Sequence, residues 1–267
     1  MSKTKISLMK MSNMPKNTPY ILVSNDDGFF SKGIQALARV AAEFGRVVVV
    51  APDREQSAVG HAVTIHDPLR ANRIKVVDDI EGFSVTGTPA DCVKLAHDQL
   101  LEEKPDLVLS GINHGSNAGI NLLYSGTVSA ATEGTVLGYP SIAVSCTDYN
   151  SDADLSGCMA AARLLISHVL KKGLPKGVTL NINAPSGPFK GLKWSKMADS
   201  RYVEEYEGRK DPLDRPYYWL TGKFELLDTS PDADIQLLNQ GYASVTPIQY
   251  DLTDYGLLNE MKKSLES

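Results

Sequence analysis

Cysteine is scarce in this chain, and its few thiols are widely separated. Cys92, Cys146 and Cys158 are the three cysteines among 267 residues, and no two of them form a CxxC pair. This spacing argues against a disulfide framework and against a zinc site built from thiolates. It is typical of proteins from a reducing compartment, so we expect a cytoplasmic location.

Long apolar runs are also missing. No run approaches the roughly 18 residues that a membrane helix needs, so we predict no membrane partner. The first eighteen residues contain four lysines, and no apolar segment of the kind found in a signal peptide follows them. We interpret residues 1–18 as a loose N-terminal extension.

An excess of positive charge is absent too. The chain has 27 Lys and Arg against 32 Asp and Glu, which gives a formal net charge of −5. Such a surface does not attract a polyanion, so we expect no nucleic-acid polymer as a partner. A small phosphate-bearing ligand remains compatible, because one metal ion or one helix N-terminus reverses the field locally.

What the sequence does contain is an alternation of short apolar runs and helical patterns. Apolar runs of strand length lie at 20–24 and 46–51, and between them apolar residues recur at helical spacing from Ile34 to Ala41. The alternation continues with strands at 106–110, 141–145 and 178–182 and with helices at 88–101, 127–137 and 156–171. This order predicts an α/β fold with a mostly parallel sheet.

The composition changes from about Ala184. The aromatic and β-branched segments at 217–227 and 241–248 are expected to pair as a hairpin, in an extended arm outside the sheet. Apolar residues in such an arm need cover, and a partner subunit would provide it. We therefore divide the chain into a main domain at 19–183 and an arm at 184–267 that serves oligomerisation.

Polar clusters follow three of the predicted strands, at the edge where parallel sheets bind ligands. Asp26 and Asp27 follow the first strand, Ser57 the second and Asn113 a later one. Taken alone, each is better explained as a cap or turn residue. Neighbouring carboxylates repel unless a cation lies between them, and Asp, Asn and Ser oxygens suit Mg²⁺, Mn²⁺ or Ca²⁺. Three such loops at one edge favour a divalent-cation site.

Ser125, Gly126 and Thr127 precede a helix of small residues. An ordinary N-cap explains this triplet, but beside a cation the same helix N-terminus would hold a phosphate group. His61 and His114 lie in the same loops and are candidates for proton donation or phosphate contact, with a satisfied polar side chain as the alternative.

Five segments, taken in order, resemble the SurE (survival protein) family of nucleotidases. They extend from about Tyr20 to Ser145 and read ILVSNDDG, VVAPDREQSAVGHAVTI, TGTPADCVKLA, PDLVLSGINHGSNAG and YSGTVSAATEG. The resemblance implies a Rossmann-like catalytic domain, with C-terminal extensions exchanged within a homodimer or homotetramer. It also implies a phosphomonoesterase that uses one Mg²⁺ or Mn²⁺ ion to hydrolyse nucleoside 5′- and 3′-monophosphates, and sometimes short polyphosphate.

The resemblance further implies roles for individual residues. The metal ligands would be Asp26, Asp27, Ser57 and Asn113, of which both aspartates and the asparagine would be catalytic. The phosphate and substrate contacts would be Asn25, Ser125, Gly126 and Thr127. An exopolyphosphatase at the same site, a non-hydrolysing nucleotide-binding regulator and a scaffold built on the arm are the alternatives. The paired carboxylates argue against the last two, because a pure anion binder gains nothing from negative charge beside its ligand.

Overall fold

The computed structural model of the chain describes residues 18–265, so the predicted extension lies outside the described residues except for its last position. The strands are β1 (Tyr20–Ser24), β2 (Arg46–Pro52), β3 (Ala71–Val77), β4 (Ile80–Val85), β5 (Leu107–His114), β6 (Ser141–Cys146), β7 (Val178–Ala184), β8 (Leu192–Trp194), β9 (Ser200–Val203), β10 (Tyr206–Lys210), β11 (Pro216–Leu220), β12 (Lys223–Leu226) and β13 (Ala243–Gln249). The helices are α1 (Lys32–Ala42), α2 (Pro89–Leu95, continued by a π-helical turn at Ala96–Leu100), α3 (Asn121–Tyr124), α4 (Gly126–Val136), α5 (Ser156–Lys172), α6 (Asp234–Asn239) and α7 (Tyr255–Leu265). Within this described range, no helix has the length and apolar character needed to cross a membrane.

The main sheet has the spatial order β3-β4-β2-β1-β5-β6-β7-β13-β8. Strand β1 is an interior strand that pairs in parallel with β2 and β5, and β6 and β7 continue the parallel side. The predicted α/β fold, with a Rossmann-like, mostly parallel sheet flanked by helices, is confirmed. The antiparallel pair of β3 and β4 at one edge was not predicted.

Strand β1 shows why the central strands are apolar throughout. Ile21 and Val23 pack in a cluster with α1 and α5 on one face, whereas Leu22 packs in a second cluster with α2 on the other. Successive side chains of a strand point to opposite faces, so a strand covered on both sides has no position for a solvated group. Polar side chains that face solvent are therefore displaced to the loops at the strand ends.

The prediction of a C-terminal hairpin is confirmed, since β10 and β11 form one, but two details of the predicted arm were wrong. Segments 217–227 and 241–248 do not pair with each other, because β11 pairs with β10, β12 with β9, and β13 with β7. Placing the whole arm outside the sheet was also wrong, since β13 and β8 extend the main sheet. Without a further strand, β7 would leave its backbone N–H and carbonyl groups unpaired at the edge of the sheet. Strand β13 pairs with these groups and buries Ala243 and Val245 in the core. The role of the arm in oligomerisation stays a prediction.

The close approach of α1 to β5 depends on Gly33. A Cβ atom added at this position would lie 1.9 Å from the carbonyl oxygen of Ile112. Ile112 directly precedes Asn113, so this contact sets how near the first helix lies to a strand end that carries a predicted site residue.

We expect Gly33→Ala to lower the free energy of unfolding by roughly 1–3 kcal/mol, because backbone must move to admit the methyl group. Thermal unfolding of the full chain measures the change as a fall of several degrees in Tm. Arg39→Ala on the same helix is the control, because its exposed ion pair with Asp78 contributes little. Equal stability of the Gly33 variant and the wild type would contradict the packing argument.

Candidate functional site

A cleft of about 760 Å³ opens beyond the carboxyl ends of β1, β2 and β5. Five of the predicted site residues line it, namely Asp26, Asp27, Ser57, Asn113 and Ser125. Three loops that are distant in sequence therefore meet at one place, as parallel strands require. The other three predicted site residues, Asn25, Gly126 and Thr127, are not among the residues that line the cleft.

Asp26 is pressed against the beginning of α4. Its carboxylate accepts a hydrogen bond from the Thr127 hydroxyl, and a Cβ atom at Gly126 would lie 2.8 Å from the Asp26 Cβ. Only 4% of Asp26 is exposed, and this burial raises its pKa to about 6 against the opposing effect of the Thr127 hydrogen bond. The negative charge of Asp27 raises the pKa further. Glycine at 126 is what allows the helix so close.

Asp27 points to the other side of the turn. Its Oδ2 atom lies 3.5 Å from Nδ1 of His114, and burial raises its pKa while His114 lowers it. Asn25 shapes this turn from behind, because its Nδ2 donates to the Gly28 carbonyl at 3.0 Å and to the Ser31 hydroxyl at 2.8 Å. Two adjacent carboxylates are thus fixed in surroundings that disfavour their charge.

Unpartnered oxygen atoms indicate what the cleft can hold. Among the described residues, Oδ1 of Asn25 is buried without a hydrogen-bond donor, and Oδ2 of Asp27 is buried with Nδ1 of His114 3.5 Å away. Asn113 uses its Nδ2 to donate to the Gly115 carbonyl at 2.7 Å, so its amide oxygen is the atom left for a ligand. The part of the chain that the structure describes has no group of three His, Cys, Asp or Glu able to hold a metal. A cation here needs neutral oxygens as well as the two carboxylates, and such a set fits Mg²⁺ or Mn²⁺.

Backbone hydrogen bonds tie the loop that carries Ser57 to the first strand end. The Gln56 N–H donates to the Asp26 carbonyl at 2.7 Å, and the Phe29 N–H donates to the Pro52 carbonyl at 2.8 Å. The Ser57 hydroxyl itself is exposed and donates to Glu55 at 2.6 Å. Ser57 is therefore held near the two carboxylates by the backbone hydrogen bond of Gln56 and not by its own side chain.

An irregularity in β5 brings Asn113 and His114 into the cleft together. The pairing of β5 with β6 shifts register between Gly111 and Asn113, and Gly111 has φ +128°. Adjacent residues of a regular strand point to opposite faces, and a bulge removes that constraint. Sequence patterns do not reveal the bulge, although the glycine at 111 is a weak indication of it.

The two candidate histidines have different places. His114 lines the cleft, whereas Nε2 of His61 lies 2.8 Å from Oε2 of Glu133, and His61 is not among the lining residues. Sequence reasoning missed the aromatic residues at the mouth, Phe30, Tyr124 and Tyr149, which are 60%, 53% and 73% exposed. Tyr149 follows β6, so the rule that selected Ser57 would have found it too.

Comparison with known proteins finds a matching family, similar sequences and a similar structure. The family model described as Survival protein SurE matches residues 21–204. The 5′-nucleotidase SurE of Cytophaga hutchinsonii is 49% identical over 249 residues, covering 92% of this chain and 96% of that protein. The protein of the same name from Moorella thermoacetica is 48% identical and covers 90% and 94%. The crystal structure of the SurE protein from Aquifex aeolicus matches with a TM-score of 0.79 at 40% identity, over 93% of this chain and 100% of that one.

The raised pKa of Asp26 gives a sign for the pH dependence of stability without a divalent ion. Its folded pKa of about 6 lies above the ordinary aspartate value of about 3.9, so the folded state favours the protonated carboxyl. The protonated Asp26 carboxyl therefore adds to the free energy of unfolding below about pH 4, and this contribution is lost as the pH rises through 6. The free energy of unfolding should fall by up to about 3 kcal/mol over this range. Urea unfolding in EDTA between pH 4.5 and 7.5 measures it. Asp26→Asn should flatten the dependence, and an unchanged slope in that variant would refute the assignment.

Proposed function

The chain belongs to the Survival protein SurE family, and on that premise we propose that it hydrolyses nucleoside 5′-monophosphates, and also 3′-monophosphates, to nucleoside and phosphate. The observation that supports this most is the adjacent pair of buried Asp26 and partly buried Asp27 beside the N-terminus of α4. A protein that only binds an anion gains nothing from two carboxylates, whereas cation-assisted phosphate hydrolysis needs them. This favours an enzyme over a non-hydrolysing regulator.

We propose one divalent ion per subunit, Mg²⁺ or Mn²⁺, as the cofactor. Its ligands would be Asp26, Asp27, Ser57 and Asn113. When bound, such an ion polarises a phosphate oxygen and lowers the pKa of a water molecule. The two aspartates bring the negative charge that attracts the ion, and Asn113 brings a neutral oxygen from a rigid strand end.

The phosphate group itself is proposed to lie against the start of α4. Ser125 lines the cleft at the start of α4, and the positive end of the helix dipole at Ser125, Gly126 and Thr127 attracts an anion. A fixed dipole of this kind stabilises charge on a transferring phosphoryl group. His114 lines the same cleft, and its Nε2 has no hydrogen-bond partner in residues 18–265, so it is available to donate to the phosphate or the leaving oxygen.

The mouth of the cleft supports a nucleoside as the rest of the substrate. Phe30, Tyr124 and Tyr149 are exposed there, and the Tyr149 ring rests on Gly115, where a Cβ atom would lie 2.4 Å from its Cε1. Exposed aromatic faces stack on bases of any sequence. Polyphosphate has no base to stack, so the aromatic mouth favours nucleotides over the exopolyphosphatase alternative.

We also propose that the chain forms a homodimer or homotetramer through its C-terminal segments. Tyr206, Tyr218, Trp219 and Leu220 on the β10–β11 hairpin are each at least 57% exposed. Helix α7 has no buried residue and exposes Leu257 and Leu265. Apolar surface of this extent is normally covered by another subunit. The three cysteines are buried and free, which agrees with the proposed cytoplasmic location.

Removal of the cation should abolish hydrolysis. We expect EDTA to stop phosphate release from AMP, and Mn²⁺ or Mg²⁺ to restore it. Asp27→Asn should lower kcat/KM at least about 100-fold, because losing a residue that only supports a metal ligand already lowers activity by about 10- to 100-fold. Asp67→Asn, an exposed acidic position, is the matched control and should behave as wild type. Activity that is indifferent to chelation, or full activity of Asp27→Asn, would falsify the cation-based function.

Loss of the aromatic mouth should weaken nucleotide binding specifically. We expect Tyr149→Ala to raise KM for AMP roughly 5- to 100-fold, the range of one base stacked on one aromatic ring. Tyr149→Phe keeps the ring and should change KM little. Steady-state kinetics with ribose 5-phosphate and short polyphosphate provide the comparison, because neither has a base. A parallel loss on all three substrates would show that Tyr149 acts only on the shape of the cleft.

A further inference from the structure

The connection between β2 and β3 is long, and most of its residues are exposed. We call residues 53–68 the serine loop, because it carries Ser57. Such a segment does not hold one conformation by burial, since it has little apolar contact. Its conformation depends on the few places where it is bonded to the rest of the protein.

The first two of these places lie on either side of Ser57. The Gln56 N–H donates to the Asp26 carbonyl at 2.7 Å, and the Gly60 N–H donates to the Tyr124 carbonyl at 3.0 Å. Between them Ala58 has φ +57°, a left-handed conformation that is unfavourable for a residue with a side chain. Conformations of this kind persist only where the surroundings hold them. The turn at Ser57 therefore depends on contacts that fix the segment after Gly60.

His61 supplies one of the contacts in that segment, and Thr64 supplies another by donating to Asp91 through its N–H and its hydroxyl. Nε2 of His61 lies 2.8 Å from Oε2 of Glu133, while the other carboxylate oxygen, Oε1, accepts from Lys94 at 3.0 Å. Burial raises the pKa of Glu133, but the hydrogen bonds from His61 and Lys94 outweigh it and leave the pKa below its usual value. Glu133 is thus a buried, charged acceptor with both oxygens occupied, and the His61 ring has one defined position against it.

Glu133 belongs to α4, the helix that begins at Gly126. Thr127, which contacts Asp26, and Glu133, which contacts the serine loop, are six residues or nearly two turns apart. One rigid helix therefore touches the first strand end and the loop of Ser57 at the same time.

We propose that His61, hydrogen-bonded to Glu133, is a positioning residue that holds the serine loop so that Ser57 faces Asp26 and Asp27. The inference rests on the proposed function of the cleft. It assigns no chemical step to His61 and explains why a histidine of the Ser57 loop lies off the lining of the cleft.

The first test is loop mobility, which needs neither metal nor substrate. Hydrogen exchange of the full chain should show the amides of Gln56 and Gly60 exchanging at least about fivefold faster in His61→Ala, because their bonds open with the loop. His61→Gln should exchange as wild type, since the glutamine amide places a donor near the position of Nε2. His66→Ala, an exposed histidine in the same loop, is the matched control.

The second test is the affinity for Mn²⁺ alone, measured by calorimetry. We expect His61→Ala to raise the Kd about 10-fold, as loss of a supporting residue commonly does, with His61→Gln close to wild type. Glu133→Gln should weaken binding in the wild-type background and add nothing in His61→Ala, because the two residues act as one unit. His61→Ala leaves Oε2 of the buried Glu133 without a donor, so we expect its Tm to fall by a few degrees, and Mn²⁺ binding is compared at a temperature where both proteins are folded.

The outcomes separate the two proposals. Unchanged exchange and unchanged Mn²⁺ affinity in His61→Ala would overturn the positioning role. A glutamine variant as defective as the alanine variant would overturn it too, because it would point to imidazole chemistry. A wild-type protein that binds Mn²⁺ but releases no phosphate from nucleotides would overturn the proposed function, while the exchange and calorimetry would still decide on His61.

Discussion

The contact between Asp26 and the beginning of α4 is the interaction on which the site depends. It joins an interior strand of the sheet to a helix that starts a hundred residues later, through the Thr127 hydroxyl and a glycine that leaves no room for a side chain. Burial raises the pKa of the Asp26 carboxyl, and the negative charge of the adjacent Asp27 raises it further. A protein that needed only stability would place apolar groups here. We interpret the arrangement as a cation site, in which the two carboxylates lower the free energy of unfolding and provide affinity for the ion.

The supporting structure is rigid where the chemistry is proposed and looser around it. Asn113 and His114 end a central strand, and Ser125 begins a helix packed on that strand, so their positions follow from the core. Ser57 is different, because it lies on an exposed connection that is held by backbone hydrogen bonds at Gln56 and Gly60, by the His61–Glu133 contact and by hydrogen bonds from Thr64 to Asp91. The proposed ligands therefore differ in how firmly the fold places them, and Ser57 is the one most open to adjustment.

Much of the main domain was predictable because double-sided burial leaves a clear pattern: the central strands are apolar runs, and their ends are where polar residues begin. The same logic placed Asp26, Asp27, Ser57 and Asn113 at one edge. It did not extend to β13, since a strand that covers the free edge of β7 looks locally like one that forms a hairpin with its neighbour. Nor did it give the register shift in β5 or the orientation of Tyr149, because both depend on contacts across the sheet.

The position of β13 also has a consequence for biosynthesis. Strand β7 is complete once Ala184 has been made, yet the strand that covers its edge ends at Gln249, more than sixty residues later. During translation the parallel half of the sheet can collapse first, with an open edge that resembles an aggregation template. The nascent chain must therefore pass through a stage in which its central sheet is unfinished on one side, and the late arrival of β13 ends that exposure.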